Sequence, residues 1–390
     1  MRRSFACSIL ALCIVTTTLP AVATQVKAGA SCKTRGVTST VKNLKYTCLK
    51  TGGKLVWSSG KKVSTPKPST SKTPKIASIS FENLESNTEN ISQVAWAKSN
   101  PLWTKYEKKI QGVQLLFGPT KKPLNCYGGL HEITRISNFW GKYKQPEKSF
   151  IIYQAPEDTK WAQGEFIRAT GNTGPELGSA AGRATVTSNG IGQIVLYVSG
   201  QETPSGCGGG IEKHEYTHIV QLSQRSKSGE LLKGRPPAWF VEGQAEFAGG
   251  SEFPFEYYKK FSFMTRFLPA NTLKDSEPLT ITAYLQNLAS SSGADYTLGY
   301  LVIEILTAIG GPYSTMDIFV EMADGKSFSE AFEAVYKISW AQAIPIISNV
   351  VSAQIKSNQN APLTQFRTTK GEIGIYKWPA RGYFDEALFN

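Results

Sequence analysis

The sequence predicts an α+β protein preceded by a small β module, and three observations carry that expectation. Runs rich in β-branched and aromatic residues fill the stretch before Gly200, helical texture takes over after Gly210, and a Pro/Ser/Thr/Lys segment sets a short basic front part apart from both. A chain of 390 residues has room for one substantial domain plus such a module.

The first 23 residues, MRRSFACSILALCIVTTTLPAVA, combine a basic start, an apolar run from Phe5 to about Val15 and an Ala-x-Ala end at Ala21, Val22 and Ala23. That pattern reads as a secretory signal cut before Thr24, so the expected location is outside the cell or at its envelope. Arg2, Arg3 and Phe5 leave a twin-arginine signal open beside the ordinary secretory route. No later stretch reaches the ~20 apolar residues of a membrane span. Beyond the signal the chain keeps Cys32, Cys48, Cys126 and Cys207, an even set that suggests disulfides in an oxidising compartment. Of the three possible pairings, Cys32 with Cys48 and Cys126 with Cys207 is favoured, because the first two share a segment that reads as a separate module. Neither pair has the CxxC spacing of a cysteine zinc site.

That module spans residues 24 to 60. Its stretch LKYTCLKTGGKLVWSSG places two β-forming runs around Thr51, Gly52 and Gly53, a hairpin signal, in a unit too small to build much core without a staple. The segment resembles short modules found ahead of domains in exported actinobacterial proteins. Residues 61 to 75, KKVSTPKPSTSKTPK, have no apolar periodicity and read as an extended, solvated linker. Charge divides at the same place. Of the 43 basic residues 14 precede Ile76, leaving 29 against all 30 acidic ones, and the span from Thr24 to Lys75 holds twelve Lys or Arg and no Asp or Glu. A nucleic-acid surface would interleave those charges with aromatics, and this span offers only Tyr46 and Trp57. An anionic cell-envelope polymer or lipid surface fits an exported protein better, with a merely solvated tail as the alternative.

The main domain, residues 76 to 390, opens with a sheet-rich part whose expected strands are 113–118, 149–154, 183–188 and 193–200. The helix IEKHEYTHIVQLSQ is followed by PPAWFVEGQAEFAGG, where Pro236 and Pro237 suit a helix entrance and Gly249 and Gly250 its exit. Further helices are expected at 253–266, 295–309, 313–323, 328–337 and 340–356.

KHEYTHIV, residues 213 to 220, holds two of the chain's three histidines. Residues i and i+4 of a helix lie about 5–6 Å apart at Cβ, so His214 and His218 can direct ring nitrogens to one ion. Glu215 beside them cannot reach that ion but could take a proton from water activated there. A catalytic zinc needs a third protein ligand. His131 lies far upstream and suits a surface or core role, whereas Glu242 and Glu246 stand one helical turn apart among Trp239, Phe240, Ala245 and Phe247, a setting where an unpaired charge is costly. Glu242 can ligate, and Glu246 can accept the outward N–H of a ligating histidine.

His-Glu-Tyr-Thr-His, followed 24 residues later by the glutamate of Trp-Phe-Val-Glu-Gly-Gln-Ala-Glu, resembles the gluzincin zinc peptidases, and especially the peptidase MA-like group related to thermolysin and to aminopeptidase N. The resemblance covers about residues 205 to 345, and SFSEAFEAVYKISWAQA is similar to the helical tail of that group. It implies a thermolysin-like domain with a mixed-sheet N-terminal lobe and a helical C-terminal lobe. It also implies Zn2+ on His214, His218 and Glu242, Glu215 as general base, Glu246 orienting His214, and a peptide or protein substrate. DYTLGYLVIEILTAIGG resembles the Tyr-x-x-Gly helix of the aminopeptidase N branch, which would make Tyr296 the donor to the oxyanion, with Tyr300 on the same face as its competitor. Two departures matter: no Gly-x-Met-Glu-Asn is present to anchor an α-amino group, and Val241 stands where thermolysin-like enzymes have an Asn that supports a histidine. QIVLYVSG is the candidate sheet edge for an extended peptide, a central strand being the alternative. The rival readings are a noncatalytic envelope-binding protein with a structural zinc, and a zinc amidase acting on cell-wall crosslinks.

Overall fold

A computed structural model describes residues 26–41, 44–62, 78–105, 110, 112–120, 129–171, 182–197, 210–224, 235–252, 255, 258, 276–287 and 294–359. The signal segment, Cys126 with Cys207 and most of the linker lie outside the described residues. The chain divides into two compact units, Met1–Lys75 and Ile76–Asn390.

In the first unit β1 (Thr38–Val41), β2 (Leu44–Thr51), β3 (Lys54–Trp57) and β4 (Lys61–Lys62) form an antiparallel sheet centred on β2. The β2–β3 turn is Gly52-Gly53, with φ of 57° and 82°, a left-handed pair that only glycine adopts without strain. Cys48, fully buried, is bonded to Cys32.

The second unit is mixed α and β. Its sheet contains β5 (Val113–Phe117), β6 (Ser149–Gln154), β7 (Gly182–Val186) and β8 (Gly192–Tyr197), in the order β5-β6-β8-β7. β5, β6 and β8 are parallel, and β7 pairs antiparallel with β8 at the edge. QIVLYV is therefore an interior strand, and the edge belongs to the strand before it. Parallel neighbours need crossovers, and the strand-and-turn texture expected before Gly200 is corrected accordingly. The helices α1 (Ile91–Ser99), α2 (Leu102–Lys105), α3 (Leu130–Phe139) and α4 (Thr159–Thr170) occur there, with α3 linking β5 to β6. Every residue of β6 is buried, because α4 covers one face through Ala162 and Phe166 while the other face joins the main core.

The helical part runs α5 (Gly210–Ser223), α6 (Ala238–Gly250), α7 (Pro278–Gln286), α8 (Ala294–Gly310), α9 (Pro312–Ala323), α10 (Phe328–Tyr336) and α11 (Trp340–Gln359). Of the expected helix at 253–266, most lies outside the described residues, and α7 had no counterpart among the expected elements. α8 is apolar nearly all round, with Leu298, Leu301, Val302, Ile305 and Leu306 fully buried, so it serves as the central core helix. Lys98 of α1 caps its C-terminus, donating to the carbonyls of Ala308 and Ile309 at 2.8 Å each. α8 meets α6 at paired glycines: a Cβ on Gly299 would stand 2.0 Å from the Trp239 carbonyl oxygen, and one on Gly243 would stand 2.2 Å from the Gly299 carbonyl carbon. Among the described residues no helix is long and apolar enough to cross a membrane.

Candidate metal centre

α5 carries Glu212, Lys213, His214 and Glu215 in an unbroken buried run, and four ionisable groups in succession are tolerated only if each finds a partner. Glu212 accepts the Gly129 N–H at 3.0 Å and the Tyr153 hydroxyl at 3.1 Å, and burial pushes its pKa up to about 7. Lys213 lies 3.0 Å from Glu132 and also pairs with Glu252. Burial opposes its charge, but the two carboxylates prevail and raise its pKa above the ordinary value. These ties fix α5 against α3 and against the residues just past α6, which sets the angle at which the histidines leave the helix.

Nε2 of His214 lies 3.0 Å from Nε2 of His218, and Oε2 of Glu242, reaching in from α6, lies 3.2 Å from the first and 3.3 Å from the second. Nitrogen and oxygen ligands bound tetrahedrally at 2.0–2.1 Å stand about 3.3–3.4 Å apart, so the triangle has nearly the size of one face of a zinc site. The donor chemistry agrees. Nδ1 of His218 is 2.8 Å from Oε1 of Gln221, and Nδ1 of His214 is 3.4 Å from Oε1 of Glu246, an ion-pair separation without hydrogen-bond alignment. Both Nδ1 atoms face oxygen atoms, an arrangement that suits a ring hydrogen on Nδ1 and a lone pair on Nε2. Two such lone pairs and a carboxylate oxygen converging on one point call for a cation between them. His214, His218 and Glu242 could hold a metal ion, and two imidazoles with one carboxylate suit zinc. In the metal-free protein a proton substitutes. Burial disfavours charge on His214, yet its contact with Glu242 and the nearby Glu246 and Glu215 carboxylates raise its pKa to about 10, and His214 and His218 hold Glu242 well below the carboxylate range against its own burial.

Glu215 is not one of the three donors. Its carboxyl rests on the first residue of β7, where a Cβ on Gly182 would stand 2.3 Å from Oε1. Burial raises its pKa, His214 and His218 temper the rise, and Glu242 and Glu246 add to it. Tyr296 of α8 stacks on His214 with ring centroids 5.8 Å apart and planes 22° from parallel, and its phenol lies near the carboxylates of Glu242, Glu215 and Glu246. Burial, followed by the nearby carboxylates, pushes that phenol up to about 12. Tyr296 remains 42% exposed, whereas Tyr300 is fully buried against Phe247. His131 points outward, 3.8 Å from Glu132, and does not join the cluster.

Residue reasoning overlooked Gln221 and Gly182. The signal for Gln221 was its place three residues after His218 on the same helix face; Gly182 had none, since its neighbour is distant in sequence. No family model and no curated protein matches the chain.

Proposed function

We propose that the chain is an exported, zinc-dependent metallopeptidase of the gluzincin type, with residues 76–390 as a thermolysin-like catalytic unit that hydrolyses peptide bonds. The observation that carries this reading is the His214, His218 and Glu242 triangle with Glu215 on one side and Tyr296 on another. Zinc held by the three ligands would act as a Lewis acid on the scissile carbonyl and would acidify the attacking water. Glu215, its carboxyl raised by burial, accepts the proton of that water and returns it to the leaving amine. Tyr296 keeps its proton at neutral pH and donates a hydrogen bond to the carbonyl oxygen as charge develops. Glu246, 3.4 Å from Nδ1 of His214, would orient that ring. Among the described residues β7 is the outermost strand beside β8, and its first residue, Gly182, lies against Glu215; an extended peptide substrate would align along this strand.

Glu215→Gln tests the reading. Purified protein is expected to bind about one zinc per chain and to digest unfolded protein, and the variant to keep its zinc while losing about 10²–10⁴-fold in rate. Zinc without any Glu215-dependent cleavage would favour the noncatalytic envelope-binding protein. Cleavage restricted to cell-wall crosslinks would favour the amidase.

A further inference from the structure

The group facing Nδ1 of His218 is itself held from several sides. Gln221 is 3% exposed, and its Oε1 lies 2.8 Å from that nitrogen. Its Nε2 donates one hydrogen to the Val241 carbonyl at 3.0 Å and the other to Oε1 of Gln244 at 2.8 Å. Gln244, fully buried, donates to Oγ1 of Thr315 at 2.7 Å, and the Thr315 hydroxyl donates to the Pro312 carbonyl at 2.7 Å.

An amide presents oxygen and nitrogen at nearly the same places, so neighbours decide which way each glutamine points. These neighbours leave no choice. The carbonyls of Val241 and Pro312 can only accept. Turning Gln221 over would set its oxygen against the Val241 carbonyl in a dry site, where an unmade hydrogen bond is expensive. The Thr315 hydrogen is committed to Pro312, so Thr315 can only accept from Gln244, which in turn offers its oxygen to Gln221. Two backbone carbonyls on α5's neighbours thus impose one direction on the whole chain. At its end the ring of His218 meets an oxygen.

We propose that the buried chain Thr315–Gln244–Gln221 locks His218 in its Nδ1–H tautomer, keeping Nε2 free to ligate a cation, with Gln221 as the positioning residue. The proposal rests on the metal-site reading of His214, His218 and Glu242. It assigns to a glutamine of α5 the supporting role for which Val241 has no side chain, while the Val241 backbone takes part through its carbonyl. Merely filling the core would account for the burial of Gln221 but not for a fixed tautomer.

The test uses the full chain. Nitrogen-15 NMR of the metal-free protein is expected to show His218 carrying its hydrogen on Nδ1. Competition with a chromophoric chelator gives the zinc affinity. Gln221→Met, similar in length but unable to accept, is expected to move His218 toward the Nε2–H form and to weaken zinc binding about 10–100-fold. Gln221→Glu keeps an acceptor toward Nδ1 but sets its second oxygen against the Val241 carbonyl, so it is expected to return the Nδ1–H form with a lower melting temperature. A wild-type His218 in the Nε2–H form would overturn the proposal before any variant is made, so a variant that fails to fold cannot shelter it. Gln221→Met with unchanged tautomer and zinc affinity within twofold of wild type would also overturn it. If the wild type binds no zinc and the tautomer still depends on Gln221, the metal reading fails while the positioning role stands.

Discussion

Tyr296 and Tyr300 share a helix face, and nothing in their spacing separates them; burial does. Tyr296 stays partly open beside His214, and its phenol, pushed up to about 12, holds its proton through the neutral range as a hydrogen-bond donor must. Tyr296→Phe is expected to lower kcat about 10²–10³-fold with zinc content unchanged. Steady-state kinetics with metal analysis checks it, and an unaltered kcat removes Tyr296 from the reaction. The linkage at His214 gives a second expectation. Its pKa rises from 6.5 to about 10 in the folded metal-free protein, so the stability it contributes is complete below 6.5 and is lost as pH climbs toward 10. Glu242 is depressed, so its contribution is present above 4.5 and disappears in acid. Melting temperatures in a chelator should therefore fall from pH 6.5 to 10. At a fixed free zinc concentration the metal competes with a departing proton, and the zinc-induced rise in Tm should grow over that range. The histidine pair, Glu215, Glu242 and Glu246 were legible because helical spacing alone brings such groups to one face. Gln221 was not, since an amide has no chemistry of its own to advertise, and its direction is set by a carbonyl on α6 and a hydroxyl on α9.

At the scale of elements, the four strands of the main sheet fall where their β-branched runs predicted, whereas α1, α3 and α4 did not declare themselves. α3 has apolar residues at helical spacing, Ile133, Ile136 and Phe139, but its Ile and Thr content also suits a strand. What a run of apolar residues cannot disclose is whether its neighbour lies parallel, and it is the parallel pairing of β5, β6 and β8 that demands helical crossovers. The choice between edge and centre stayed open for QIVLYV for a related reason: Ile194, Val195 and Leu196 form an unbroken apolar run because the strand is covered on both faces, while in β7 Arg183 and Thr185 alternate with Gly182, Ala184 and Val186. The contact between α6 and α8 carries a consequence for the site. Gly243 follows Glu242, and Gly299 lies three residues after Tyr296, so this crossing sets the distance between the Glu242 carboxylate and the Tyr296 phenol. Gly299→Ala would press a methyl into the Trp239 carbonyl oxygen 2.0 Å away. The expected cost is about 1–3 kcal/mol of stability, together with weaker zinc binding as the two helices part. Thermal melting and chelator competition measure the two effects, and a variant with wild-type Tm and zinc affinity would show that the crossing has room to spare.

For the whole molecule, the division into two units coincides with a division of charge. Every residue of the candidate metal site lies in Ile76–Asn390, which is nearly balanced at 29 basic and 30 acidic residues, whereas the charged residues of Thr24 to Lys75 are all basic. Among the described residues of the first unit Cys48 is the one buried hydrophobic side chain, and its bond to Cys32 supplies the constraint that so small a sheet lacks. The cysteine spacing and hairpin signal made that unit readable from residues alone; its partner was not, because net charge names a sign and not a molecule. If the basic unit concentrates the chain on an anionic envelope polymer, binding must be electrostatic and separable from the proposed hydrolysis. A chain starting at Thr24 is expected to bind immobilised polyphosphate at low ionic strength, and to lose about tenfold or more of that affinity as salt rises toward 0.5 M and the screening length shrinks below about 5 Å. The fragment 76–390 is expected to bind the polymer negligibly yet keep its zinc and its rate on a soluble unfolded substrate. Equal retention of both forms on the polymer would place the interaction in residues 76–390. Salt-insensitive binding by the longer chain would point instead to contacts made by side chains such as Tyr46 and Trp57.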